Sequence, residues 1–191
     1  MNNAFTISLW AQGETIGDYP VEEEAYVSIG TLDAPLAEIL LQKTATDPHV
    51  LFVMDSGIGG ANHSFVAQVQ NSIDPAQFFS SWKMLTMTYD GSTMTAYLNG
   101  QELGSAPMNN FTAFPASTAA LGRHWWQTGS SARMSATFDE VSFYDRALSP
   151  DEVQSLYLSV PEPGSFTLCL LGCGWGAIRL AKAKQTMTRG H

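Results

Sequence analysis

The chain has 191 residues, 45% apolar and 11% aromatic, which excludes a disordered chain and allows a sizeable core. Only 14% are charged, too few for the exposed faces of a helical bundle, so the composition points to a sheet protein rich in Ser, Thr, Asn and Gly. Residues 1–160 hold 17 of the 18 acids against five cations, a net −12, whereas residues 161–191 are net +3; the acidic body excludes nucleic acid as a partner.

The N-terminus, Met1 to Ala4, has neither the basic start nor the apolar run of a secretory leader. Phe5 to Ala11 then alternates, with Phe5, Ile7 and Leu9 on one side and Thr6, Ser8 and Trp10 on the other. Glu22 to Glu24 reads as a solvated charge run. Leu36 to Leu41 has helix-forming residues, but an apolar run, His49 to Asp55, follows Thr46-Asp47-Pro48 at turn distance, so a strand pair is preferred. Ser64 to Gln70 and Trp82 to Tyr89 alternate as further strands.

A hairpin signal comes next. Asp90-Gly91 turns into Thr93 to Leu98, and Asn99-Gly100 turns into Gln101 to Leu103. Asn-Gly suits a two-residue hairpin because both positions tolerate positive φ. Ala119 to Gly122 and Met134 to Tyr144 are the last strands, the latter with Met134, Ala136, Phe138, Val141 and Phe143 inward. Ser149-Pro150-Asp151-Glu152 is a capping box that opens a helix to about Ser159, with Leu148 able to staple onto Val153.

These residues resemble the laminin-G-like jelly rolls of the concanavalin A-like group. The resemblance rests on Phe5 to Ala11, on Trp82 to Gly91 followed by Tyr97 to Gly100, and on Phe138 to Ser149 followed by Glu152. It implies an all-β, two-sheet antiparallel sandwich over residues 1–159 with one short C-terminal helix. That family usually has one or two strands before the Phe5 strand, so the reading expects the native start to lie upstream of Met1.

Residues 160–191 resemble a second family, the PEP-CTERM sorting signals of exopolysaccharide-producing Gram-negative bacteria. The motif is Val160-Pro161-Glu162-Pro163, an apolar run from Phe166 to Ile178, and the basic residues Arg179, Lys182 and Lys184. The prolines stop the preceding helix. The run, roughly 20 Å long as a helix, is short for a ~30 Å hydrocarbon core. Basic residues after it would keep the C-terminus cytoplasmic and the body outside. The resemblance implies an exosortase that recognises Pro161 to Pro163, membrane anchoring through residues 164–180, and an envelope or extracellular destination. Cys169 and Cys173 sit four apart in this run and read as small apolar fillers.

For chemistry, a glycosidase needs two carboxylates about 5–9 Å apart. No acidic run supplies them on one strand face, and the adjacent Asp139 and Glu140 should point to opposite faces. His49, His63 and His124 have no triad spacing. The chain therefore reads as non-catalytic and needs no cofactor. The resemblance allows calcium, for which Asp18, Asn62, Asp90 and Asp139 are the loop or strand-end candidates, although none forms a ligand-spaced motif. The strongest binding feature is Arg123-His124-Trp125-Trp126, between two strands. Paired Trp on a loop is costly to expose, and Trp faces stack on sugar rings while Arg and His hydrogen-bond them. The expected ligand is a glycan such as exopolysaccharide. The rival is a structural or adhesion role through the sheet face or an open edge, with another surface protein as partner.

Overall fold

A computed structural model describes residues 4–15, 23–31, 34–43, 48–55, 62–65, 80–108, 118–123 and 134–159. The chain divides into two compact units, Met1–Tyr157 and Leu158–His191. Of the second, only Leu158 and Ser159 are described, so the apolar tail helix and the sorting motif from Val160 to Arg179 lie outside the described residues. Among the described residues no helix is long and apolar enough to cross a membrane.

The described residues form ten strands and one helix: β1 (Phe5–Thr15), β2 (Glu23–Thr31), β3 (Ala34–Lys43), β4 (Pro48–Asp55), β5 (Asn62–Phe65), β6 (Lys83–Tyr89), β7 (Thr93–Leu98), β8 (Gln101–Pro107), β9 (Thr118–Leu121), β10 (Ser135–Tyr144) and α1 (Pro150–Ser159). They form two five-stranded sheets, ordered β10-β1-β6-β7-β8 and β5-β4-β3-β2-β9. Every pairing is antiparallel. This is the expected sandwich, and the Leu36 to Leu41 segment is strand, as preferred.

One apolar cluster joins the two sheets. Phe5, Ile7 and Leu9 of β1 and Leu85, Met87 and Tyr89 of β6 meet Val27, Ile39, Val50 and Phe52 of the other sheet. Each large side chain so buried contributes roughly 1.5–3 kcal/mol.

The opposite face of β1 is not solvated, contrary to simple alternation. Thr6, Ser8 and Trp10 are all buried, because the closing segment and α1 lie over that face. The Thr6 hydroxyl donates to the Arg146 carbonyl and accepts from the Leu148 amide, both at 2.9 Å. Ser8 and Thr86 share a hydroxyl hydrogen bond of 2.8 Å.

The capping box forms as expected. The Ser149 amide donates to Glu152 Oε2 at 2.8 Å, and the Glu152 amide to Ser149 Oγ at 3.3 Å. Leu148 and Val153, the two staple residues, are buried. At the hairpin, Asn99 and Gly100 take positive φ of 51° and 78°. The Asn99 side chain also accepts from the Met84 amide at 2.9 Å, which ties the turn to β6.

β10 departs from simple alternation in two places. A bulge at Glu140, whose φ is 46°, places an extra residue between the Ser8–Ser142 and Trp10–Asp139 pairs. Simple alternation of burial stops there, and Asp139 and Glu140 are both exposed. Phe143 sits opposite core residue Ile7 but is 47% exposed, because β10 is the edge strand of its sheet.

Candidate functional site

The residues on either side of the segment that carries the tryptophans are bonded to each other. β9 ends at Leu121, and Gly122 turns the chain with φ of 67°. The Gly122 amide donates to the Tyr26 carbonyl at 3.1 Å, and the Gly122 carbonyl accepts from the Met134 amide at 2.8 Å. The chain therefore leaves at Arg123 and returns at Met134 through one bonded neck. An added Cβ at Gly122 would lie 3.4 Å from both the Met134 carbonyl and the Phe138 ring, so the neck has little spare room.

Beside this neck is an open depression of about 440 Å3, lined by Leu121, Gly122, Arg123, Met134 and Phe138. Leu121 is 46% exposed within it. Among the described residues its lining sets Leu121, Met134 and Phe138 beside half-buried Arg123, whose guanidinium donates in a planar fork. Such a surface can take the apolar face of a ring while the guanidinium hydrogen-bonds the ring's oxygens. His124, Trp125 and Trp126 lie outside the described residues.

Of the calcium candidates, Asp90 and Asp139 are described with their side chains, Asp90 just after β6 and Asp139 within β10. Asp90 caps the β6–β7 turn: its Oδ1 accepts from the Ser92 amide at 2.8 Å, the Ser92 hydroxyl at 2.9 Å and the Thr93 amide at 2.8 Å. Burial works to raise its pKa, but those hydrogen bonds outweigh it and hold the carboxyl below its ordinary value. Asp139 accepts from the Glu140 amide at 2.9 Å at the bulge, on the edge of the same sheet. Asn62 begins β5, on the edge of the other sheet, and Asp18 lies outside the described residues. Among the described residues no three His, Cys, Asp or Glu gather.

Glu38 of β3 is the buried carboxylate among the described residues, and its Oε1 accepts from Ser28 Oγ at 2.5 Å. The residues paired across from Glu38 are Ser28 and Val53, so its own row offers no second acid of a glycosidase pair.

A laminin-G-type family model, described as the concanavalin A-like lectin/glucanases superfamily, matches residues 1–154. The chain belongs to this superfamily. Its solved structural neighbours include the receptor binding domain of botulinum neurotoxin type G, with 13% identity and a TM-score of 0.60, covering 81% of this chain and 38% of that one. The F1240A mutant described as HCR/D has 10% identity and a TM-score of 0.64, covering 83% and 37%. The binding domain of botulinum neurotoxin DC, in complex with rat synaptotagmin II, has 12% identity and a TM-score of 0.58, covering 82% and 35%. The chain thus spans little more than a third of these chains, and at such identity the likeness is one of fold. No curated protein matches the sequence.

The superfamily includes both lectins and glucanases, so membership alone does not separate binding from cleavage. The sequence singles out Arg123 by its aromatic neighbours. It gives no sign that Leu121, Met134 and Phe138 lie beside Arg123, because the Gly122–Met134 closure joins positions well apart in sequence.

Proposed function

We propose that this chain is a non-catalytic exported binding module whose ligand is carbohydrate, with exopolysaccharide the favoured class. The observation that carries this reading is the Arg123 depression at the neck of the tryptophan loop, where Leu121, Met134 and Phe138 lie beside a guanidinium. Trp125 and Trp126 follow Arg123 after His124 and supply the ring faces for stacking, and His124 a further hydrogen-bonding group. Glu38, the buried acid among the described residues, has no acid beside it in its own row, and this supports the non-catalytic part. No cofactor is required, and calcium would serve only as an aid to loop geometry through Asp18, Asn62, Asp90 or Asp139.

The tail from Val160 to His191 serves as the sorting signal. An exosortase-type enzyme recognises Pro161-Glu162-Pro163, and the apolar run with Arg179 behind it holds the chain at the membrane with the body outside.

A glycan array probed with the full chain tests the binding reading. Binding that falls about tenfold or more in Arg123→Ala, Trp125→Ala and Trp126→Ala supports it. Silence across the array sinks it. The sorting reading is tested by expression beside an exosortase: Pro161→Ala with Pro163→Ala should abolish tail processing, and unchanged processing counts against the motif.

A second reading, protein adhesion through the sandwich edge, is favoured by Phe143, which stands 47% exposed on edge strand β10. It predicts self-association or surface-protein binding that Phe143→Ser weakens and the loop variants leave intact.

A further inference from the structure

Cross-strand register aligns two rows of side chains over the outer face of the sheet that carries α1. One row runs Tyr144, Thr6, Thr88, Thr95, Ser105, and the next runs Ser142, Ser8, Thr86, Tyr97, Glu102. Every position bears a hydroxyl except Glu102. Hydroxyl residues on a sheet face are ordinary β-formers, and by themselves they indicate nothing. Several are engaged within the protein, and buried Tyr97 hydrogen-bonds Thr88 and Thr95. At β1 and on into Thr86 they are committed to the protein: Thr6 to the Arg146 and Leu148 backbone, and Ser8 to Thr86.

On the β7–β8 side the same rows enter a groove of about 450 Å3, within the roughly 300–1,000 Å3 of small-ligand clefts. Thr88, Thr95, Tyr97, Glu102 and Ser105 line it, and the segment from Leu148 to Pro150 forms its wall. Among its described lining residues there is no Lys, Arg or His, and two of the three acids are occupied, Asp90 by its own turn and Glu152 by Arg146. Among the described residues Glu102 is the lining carboxylate without a hydrogen bond of its own.

We propose that this groove is a second binding site, for one or two units of an uncharged saccharide. Hydroxyls both donate and accept, so the oxygens of half-buried Thr93 and Thr95 and exposed Ser105 complement sugar hydroxyls above the buried Thr88 and Tyr97. Glu102 accepts from neighbouring ring hydroxyls, a charge-assisted pairing that is stronger than a neutral one. The uncompensated carboxylates disfavour uronates and sulfated sugars. The groove shares no lining residue with the Arg123 depression, whose guanidinium favours the opposite charge. The inference therefore goes beyond the loop site and does not depend on it.

The test is an amide NMR titration of the full chain with cellobiose, maltose and lactose at millimolar concentration, and with glucuronate as the charged counterpart. A neutral disaccharide should shift the Thr88, Thr95 and Ser105 amides saturably, and glucuronate should bind more weakly. Thr95→Val, close in shape, and Glu102→Gln should each weaken binding about tenfold while the amide spectrum stays that of the folded protein. Arg123→Ala should leave the groove shifts unchanged, which separates this site from the loop. Absence of saturable shifts with all three disaccharides overturns the proposal. So do shifts indifferent to both groove variants, or tighter binding of glucuronate. Loss of array binding in the loop variants alone bears on the loop reading and leaves the groove intact.

Discussion

The indole of Trp10 stacks on the ring of Tyr157, with centroids 5.5 Å apart and planes 16° from parallel. One residue lies in the first strand and the other in the closing helix, so this contact joins the two ends of the sandwich. Trp10 is 2% exposed. Trp10→Ala should cost about 3–5 kcal/mol of unfolding free energy, the range for a buried large aromatic. In a double-mutant cycle with Tyr157→Ala, a coupling of about 0.5–1.5 kcal/mol is expected. Urea unfolding measures both, and strict additivity would show that the stack carries no specific energy.

Thr6 should behave as a two-handed clip. Its hydroxyl satisfies both the Arg146 carbonyl and the Leu148 amide. Thr6→Val keeps the shape but leaves those backbone groups unmatched, at a cost of about 1–3 kcal/mol. Thr6→Ser retains the hydroxyl and should recover most of that loss. Hydrogen exchange at the Leu148 amide reports the contact directly: exchange as slow in Thr6→Val as in the parent would refute the clip.

How far the sequence reveals this arrangement depends on range. Local signals came through: the alternation of β1, the Asn99-Gly100 turn and the Ser149 capping box each rest on a few neighbouring residues. The burial of Thr6, Ser8 and Trp10 did not, because alternation describes a strand and not what arrives over it from residues 146–157. The Glu140 bulge was hidden for a related reason. It exists only relative to the register with β1, and a non-glycine residue at positive φ gives no compositional warning. Phe143 reads as core by pattern and becomes half-exposed through its place at the sheet edge. The candidate site shows the same division. Arg123 stands out beside two tryptophans, but its apolar neighbours are assembled by Gly122 bonding to Met134, and the hydroxyl rows exist only once five strands are in register.

The capping box makes acid stability depend on Glu152. Its carboxylate accepts from Arg146 Nη1 and Nη2, both at 2.8 Å, and from the Ser149 amide. Chiefly through the Arg146 hydrogen bonds, its pKa falls from 4.5 to about 2. A carboxyl with a lower pKa folded than unfolded stabilises fully above the unfolded value, and that contribution fades as pH drops from about 4.5 towards 2. The pair is exposed, so salt should screen it and draw the pKa back up. A carbon-detected NMR titration of Glu152 should give a midpoint near 2 that rises with salt. In Glu152→Gln the pH dependence of unfolding across this window should flatten, whereas a midpoint in the ordinary glutamate range would mean that the capping pair does not persist in solution.

Gly100 is constrained twice, by its turn and by the helix above it. With φ of 78°, any Cβ brings the left-handed penalty of about 1–2 kcal/mol. That Cβ would also meet Tyr157 Cβ and Gln154 Oε1 at 3.0 Å and the Gln154 Cα at 3.2 Å. The amide of Gln154 can swing away, but the helix backbone cannot without lifting α1 from the sheet. Gly100→Ala should therefore cost more than the turn penalty alone and should disturb the Trp10–Tyr157 stack at the same time. Trp10 fluorescence and the urea midpoint of the variant distinguish the two contributions. A loss limited to the turn penalty, with the Trp10 signal unchanged, would show that α1 moves to accommodate the methyl group without disturbing the stack. A larger loss with altered Trp10 emission would place the cost in the helix–hairpin contact, where the backbone of α1 comes closest to the sheet.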